Sequence, residues 1–270
     1  MSDYLAREDA PLRSEDWERL DKLVVESASK RLVGRRFISI TGPLGAGATV
    51  VHKPVMGGIS DSEITIKKYD NINISMIYKD FRLHWRDIES SRKYGMPLEL
   101  GPAAVASAFC ALKEDEMIFN GNQEYGYEGI LKADGCSSVS GQDWKVAGNA
   151  FQNVLSATEK LMSEGFYAPY AMVVSPSVYA IMHRNYDGGR ILEIEMVREL
   201  ATDGVFQSPV LKGDDALVIA TGQENMDLVV GQDLITAYLG PDGMDHPFRV
   251  FETVVLRIKR AASICTFVLG

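Results

Sequence analysis

Four histidines, three cysteines and two short acidic runs are the residues of this chain best suited to chemistry, and their spacing argues against most of it. His52, His84, His183 and His246 are scattered and never paired at metal-ligand spacing, so each reads more readily as a surface or packing residue than as a ligand. Cys110, Cys136 and Cys265 are odd in number and far apart, a pattern that gives no disulfide framework and suits a reducing cytoplasm. Cys110 falls within an apolar helical run and reads as a small buried hydrophobe. No serine sits in a Gly-x-Ser-x-Gly elbow, and no cysteine lies in a Cys-x-x-Cys pair. Glu114-Asp115-Glu116 has the composition of a metal site, but carboxylates grouped on one helix are more often a solvated edge. Asp214-Asp215 would point apart on a strand or sit in a solvated turn, and an acid/base pair assembled from distant positions stays open. The glycine cluster Gly42-Pro43-Leu44-Gly45-Ala46-Gly47 lacks the lysine, the following Ser or Thr and the helix of a phosphate loop, so it reads as a hinge. No catalytic residue, metal ligand or cofactor site is expected.

The elements that would carry these residues are those of an ordinary globular chain. Its 270 residues are enough for one large domain or two modest ones, 46% of them hydrophobic and 24% charged. A net charge of −9 disfavours non-specific nucleic-acid binding through a basic surface. No run approaches the roughly 20 apolar residues of a membrane span. The first residues lack the basic and apolar regions of a signal peptide, and no internal repeat is found.

The spacing of Trp17, Leu20, Leu23, Val24, Ala28 and Leu32 predicts an amphipathic helix from Ser14 to Val33, with Ser14 as N-cap and Gly34 as a left-handed C-terminal cap. Residues 49–78 read as a two-stranded excursion: Ile64–Lys68 and Ile72–Met76 alternate, with Asp70-Asn71 as the turn between them. Such a ribbon is marginal alone and needs something to lie against. Phe81, Leu83 and Trp85 continue the alternation. Gly101-Pro102 opens a helix closed by Gly121, with Val105, Phe109, Leu112 and Phe119 as its apolar face and alanines permitting close approach elsewhere. Asp134–Gly141 is a polar connection at a subdomain boundary, followed by a helix over Asp143–Glu164, a buried strand over Tyr170–Val174 and a short helix begun by Ser175-Pro176. Helix Ile191–Leu200 and strands Ala216–Ala220 and Met226–Val230 complete a central mixed unit. Leu234–Leu239, Phe248–Lys259 and Ala262–Leu269 make the C-terminal part β-rich, and the class is α+β.

Several blocks, in order, carry a resemblance: Ala10-Pro11-Leu12 before Trp17, Gly34-Arg35-Arg36-Phe37 to Gly42-Pro43, Ile118-Phe119-Asn120-Gly121, Gly129-Ile130-Leu131, Pro169–Val174, Asp215–Val218, and Val230-Gly231-Gln232-Asp233-Leu234. Their succession over nearly the whole chain resembles the encapsulin shell proteins, the linocin-like group of bacterial and archaeal compartment proteins. The resemblance implies the Hong Kong 97 phage capsid-like fold: a peripheral domain (1–48 with the N-terminal helix, 80–133 with the spine helix, 226–270), an extended β-ribbon arm (49–79) and an axial domain (134–225). It implies no enzyme, but self-assembly into a closed icosahedral shell, without nucleic acid or membrane, in the cytoplasm. The partner would be a cargo enzyme bearing a C-terminal targeting peptide: a dye-decolourising peroxidase, a ferritin-like or a hemerythrin-like protein.

By the matching motifs, the peptide would lie in a groove using Leu23, Ala28, Leu32, Arg35 and Phe37 with Asp233 and Leu234; alternatively these side chains pack the helix on its own domain. The loop Tyr186-Asp187-Gly188-Gly189-Arg190 would ring a five-fold pore, or be merely exposed. Some family members bind flavin through a tryptophan; Trp85 is offset from that position, with Arg86 in its place, so no flavin is expected. A tailed-phage capsid protein enclosing DNA, or an enzyme such as a protease, are the alternatives.

Overall fold

The computed structural model describes residues 3–59, 64–186 and 189–269. Helix α1 spans Ser14–Ser29 and begins one residue earlier than the expected cap, at Arg13, whose N–H donates to Asp16 Oδ2. It also ends earlier than expected. Gly34 is not a left-handed cap; it opens a single 3-10 turn over Gly34–Arg36. The reason lies across the packing interface, where a Cβ on Gly34 would stand 2.6 Å from Ile118 Cδ1. Glycine is there for close approach rather than for a special φ.

The ribbon is one hairpin, β2 (Val50–Ile59) with β3 (Ile64–Asn73). Asp70 and Asn71 are not its turn: they pair with Lys53 and His52 within the ladder. The alternation of Ile64–Asn73 simply runs through the two polar residues, which sit on the exposed ribbon near its base. At that base Val51, Ile72 and Ile74 pack on Val229 and Val255, whereas Met56, Ile66 and Tyr69 stay exposed.

Strand β4 (Ser75–Leu83) pairs antiparallel with β10 (His246–Ile258), β10 with β9 (Met226–Tyr238), and β9 parallel with β1 (Ser39–Thr41), giving the order β1-β9-β10-β4. The two short strands expected on either side of Gly231 are therefore one long strand with a bulge. Trp85 does not continue β4; it opens α2 (Trp85–Tyr94), capped by the His84 side chain.

The spine helix α3 (Gly101–Asn120) forms where expected, but of its expected apolar face only Phe119 is fully buried. Val105 and Leu112 are exposed, while Ala103, Ala106, Ser107, Cys110, Ala111, Glu114 and Asp115 are buried. Small side chains on that face let α1 approach closely enough for Ser107 Oγ to donate to the Val24 carbonyl at 2.6 Å. Close packing of backbones outweighed the larger apolar side chains.

A second sheet has the order β5-β11-β8-β6-β7, formed by Ser137–Gly141, Ile264–Leu269, Ala216–Ala220, Tyr170–Val174 and Gly204–Gln207. Strand β5 lies inside the stretch expected to be mere connection. The expected division at residue 226 groups β11 with β9 and β10; the topology instead places it between β5 and β8. One face of this sheet packs on α4 (Asn149–Ser163), α5 (Pro176–Met182) and α6 (Glu193–Leu200) through Val154, Val178 and Ile194; the other joins the core beneath α3. Helix α4 starts later than expected, leaving Trp144 buried in the loop before it, edge-on to Phe267.

Candidate functional site

Most residues that suggested chemistry have structural partners. His52 bonds Asn71, His183 the Tyr179 carbonyl and His246 the Tyr238 hydroxyl. The glycine loop is laced to β9, Leu44 N donating to Val230 O and Gly45 N to Gly231 O, so these two N–H groups are not free to hold a phosphate. All three cysteines are free, and burial, then the charge of Glu252, push the Cys110 thiol up to about 12. Among the described residues, no group of three His, Cys, Asp or Glu is placed to hold a metal ion, and no helix is long and apolar enough to cross a membrane.

One place brings distant residues together. Beyond α1 the chain turns sharply because the buried Asp115 carboxylate collects the N–H groups of Val33 (2.9 Å) and Gly34 (2.9 Å). The 3-10 turn that follows aims Arg35 at β9 and β10. There the ladder slips: Thr253 pairs with Gln232, but Val254 pairs with Val230 and Phe251 with Ile235. The bulge swings Asp233 and Leu234 outward, as bulges re-aim side chains. Between it and the end of α1 lies a groove of about 280 Å³ lined by Val25, Ala28, Ser29, Leu32, Arg35, Arg36, Asp233 and Leu234.

Of the seven residues expected there, five line it. Leu23 does not; it faces a separate hollow with Arg19, Leu98 and Leu100, one helical turn away. Phe37 does not either. It is buried, its ring stacked on Phe206 (5.8 Å) and tilted against Phe119 (6.3 Å), because the 3-10 turn rotates it into the core.

Beneath the groove Arg35 is held by three carboxylates. Its Nε reaches Glu114 Oε1 at 2.9 Å, Nη2 reaches Glu114 Oε2 at 2.6 Å and Glu252 Oε2 at 2.8 Å, and Nη1 reaches Asp233 Oδ1 at 2.8 Å. The Glu114 and Glu252 side chains are 0% and 1% exposed and that of Asp233 is 62% exposed. The acidic run on α3 is thus no solvated edge: only Glu116 faces water. Burial, then the charge of Glu114, hold Glu252 well above the usual carboxylate range despite Arg35. Burial pushes Asp115 up to about 7 against the N–H groups it accepts, with Glu114 adding to the rise. Although burial opposes its charge, the bonds and charge of Glu114 and Glu252 hold Arg35 above its ordinary value. Glu114 and Glu252 are the site residues that periodicity missed. Nothing in their immediate sequence marks either as facing a buried cation.

The second expected site is a tight loop. Tyr186 N donates to Ile191 O and Gly189 N to Tyr186 O, both at 2.8 Å, and Asn185 bridges Leu192. Tyr186 lies edge-on to Phe151, while Gly189 and Arg190 are exposed; Asp187 and Gly188 lie outside the described residues. Its base is fixed by Arg184, which bonds Glu193 and the carbonyls of Trp144, Lys145 and Val146.

A spine helix crossing between two sheets, with a hairpin arm, is the architecture of phage capsid proteins. The chain superposes on the capsid of Myoviridae phage XM1 with a TM-score of 0.60 at 14% identity, covering 86% of this chain and 90% of that one. With the virus-like particle from Pyrococcus furiosus the TM-score is 0.79 at 18% identity, over 93% of this chain and 99% of the other. Sequence is more specific than fold. Residues 1–255 match the family described as encapsulating protein for peroxidase. The type 1 encapsulin shell protein EncA of Myxococcus xanthus (strain DK1622) is 46% identical over 279 aligned residues, 98% of this chain and 96% of its own. The chain belongs to the encapsulin shell-protein family.

Proposed function

We propose that copies of this chain close into a hollow icosahedral shell, and that the groove at the end of α1 faces inward and docks the C-terminal targeting peptide of an enclosed enzyme. The groove carries the reading. Val25, Leu32 and Leu234 offer apolar surface left uncovered by the chain itself, beside the polar pair Arg36 and Asp233. An extended peptide laid there would seat its apolar side chains on the helix end and take its register from Asp233. Arg35 serves it only indirectly, since its donors are turned to carboxylates.

Assembly needs a resting place for the arm. The outer face of α3, with Phe109 and Leu112, meets Met76, Tyr78 and Tyr125 in a trough of about 680 Å³. In this reading the arm of a neighbouring copy lies in it, burying Met56, Ile66 and Tyr69. The four-stranded sheet with α1 and α3 then forms the peripheral domain and the five-stranded sheet the axial one, the chain passing from one to the other between β10 and β11. Loop 186–190 rims the five-fold opening, with Arg190 contributing to its polarity. A dye-decolourising peroxidase is the first candidate for cargo, followed by a ferritin-like or hemerythrin-like protein. Three free thiols accord with a cytoplasmic shell.

Negative-stain microscopy of the purified chain tests the shell: hollow megadalton particles support it, and a stable monomer or dimer overturns it. Mass spectrometry of proteins retained inside the particles then identifies the cargo.

A further inference from the structure

The groove rests on an unusual floor. Two buried carboxylates, Glu114 and Glu252, meet the same guanidinium nitrogen of Arg35, while the exposed Asp233 holds the other end of that guanidinium. Glu252 Oε1 is buried and has no hydrogen-bond partner. Three anions on one cation, two of them fully desolvated, would leave a buried negative charge uncompensated, which costs several kcal/mol. A proton on Glu252 removes that cost, because a neutral carboxyl can donate where a carboxylate can only accept. The neighbouring groups leave no other compensation. From α3 come Asp115, occupied by Val33 and Gly34, and the thiol of Cys110; from the 3-10 turn, Arg36, turned to the carbonyls of Lys30 and Leu32. From β4, Lys79 lies over the Phe109 ring at 4.8 Å, and β9 contributes Asp233 itself.

We propose that Glu252 is a positioning residue of the peptide groove: beside the buried Glu114 it keeps a proton beneath Arg35, and that proton keeps Asp233 and the bulge at Gly231–Leu234 in the geometry that admits a peptide. Neither residue lines the groove. When the proton leaves, Glu252 competes for Arg35 as a full anion. Of the three carboxylates, Asp233 is the one that water can stabilise, so it is the one released. Its release frees the groove wall, since Asp233 Oδ1 also accepts the N–H of Leu234 at 2.9 Å. The sign follows. Peptide affinity is full while Glu252 holds its proton and falls as pH rises past the point where the free groove loses it.

The inference rests on the docking reading, and the experiment separates the two. Shells are disassembled and reassembled around a fluorescein-labelled peptide made of the last residues of the enzyme found inside them, and its bound fraction is read by anisotropy at about pH 7 and about pH 10, while amide hydrogen exchange is followed across residues 231–235 without peptide. In the wild type, affinity falls about tenfold or more between the two, up to tenfold per pH unit, and exchange in 231–235 rises beyond the rise in neighbouring segments. Glu252→Gln, a permanent neutral donor, keeps the two affinities within about twofold and suppresses the extra exchange. Glu252→Ala, which removes the competing carboxylate while Arg35 keeps Glu114 and Asp233, likewise loses the pH dependence. A Glu252→Gln shell with the wild-type pH ratio and exchange overturns the proposal. If wild-type shells bind no peptide at either pH, the docking reading fails, and the exchange comparison still decides whether the proton holds the bulge.

Discussion

The carboxylate of Asp115 accepts the backbone N–H of Gly34 at 2.9 Å, binding the turn after the first helix to a spine helix 81 positions away in sequence. Its other partner is the N–H of Val33, so one buried side chain satisfies two amides that α1 leaves unbonded where it stops.

Asp115→Ala is expected to orphan both amides and cost about 2–4 kcal/mol, read as a lower melting temperature of purified shells. Asp115 also makes a pH prediction. Its value rises from 3.8 to about 7 on folding, so the folded state binds more protons, and the stability it contributes is present at acid pH and lost as pH climbs toward 7. Asp115→Asn should flatten melting temperature across pH 4–7 relative to the wild type; an unchanged slope would show that Asp115 is not the titrating group.

Arg35→Ala leaves Glu114 and Glu252 buried without a cation. We expect a loss of about 3–5 kcal/mol, against under about 1 kcal/mol for Asp233→Ala, whose carboxylate is exposed. Denaturant titration of both variants gives the ratio; equal losses would contradict the buried-pair account.

Within the groove, Leu32→Asp and Leu234→Asp should leave shells assembled but reduce enclosed enzyme at least tenfold, measured by densitometry of purified particles. Phe37→Ala is expected to act differently. As a core residue stacked on Phe206 it should cost about 3–5 kcal/mol while cargo per intact shell stays near wild type. Cargo lost from intact, normally stable Phe37→Ala shells would put the ring back in the groove.

The arm is tethered at its root by Arg257, which holds Asp227 through Nε and Nη2 and donates through Nη1 to the His52 carbonyl at 2.7 Å. Arg257→Ala should loosen the angle at which the arm leaves the sheet. The measurement is the diameter distribution of assembled particles, expected to broaden; a single wild-type diameter would show that the angle is fixed elsewhere.

How far the sequence can be read differs from element to element. The spine helix announced both its ends with Gly101-Pro102 and Gly121, because caps are local chemistry. Its orientation was not local: which face turns inward depends on how closely α1 can approach, and that favoured Ala103, Ala106 and Ser107 over Val105 and Leu112. The arm was legible as alternating strand, while its turn was misread at Asp70-Asn71 because pairing register is a property of two strands. In the groove, the family resemblance implied that Leu32, Arg35, Asp233 and Leu234 lie together, and all four line it. Glu114 and Glu252 stayed hidden because a carboxylate that neutralises a buried arginine has the same sequence signature as one facing water.

The position of β11 has a consequence for how a subunit comes into being. Among the described residues strand β5 has β11 as its sole neighbour in the sheet, and β11 also pairs with β8. The sheet therefore cannot be completed in the order in which its strands emerge from the ribosome: β5 waits through more than a hundred residues of synthesis for residues 264–269. Until then a nascent subunit offers an unfinished surface to its neighbours. Pairing of β5 is thus a late event in the making of this fold, completed by the last strand rather than by its sequence neighbours.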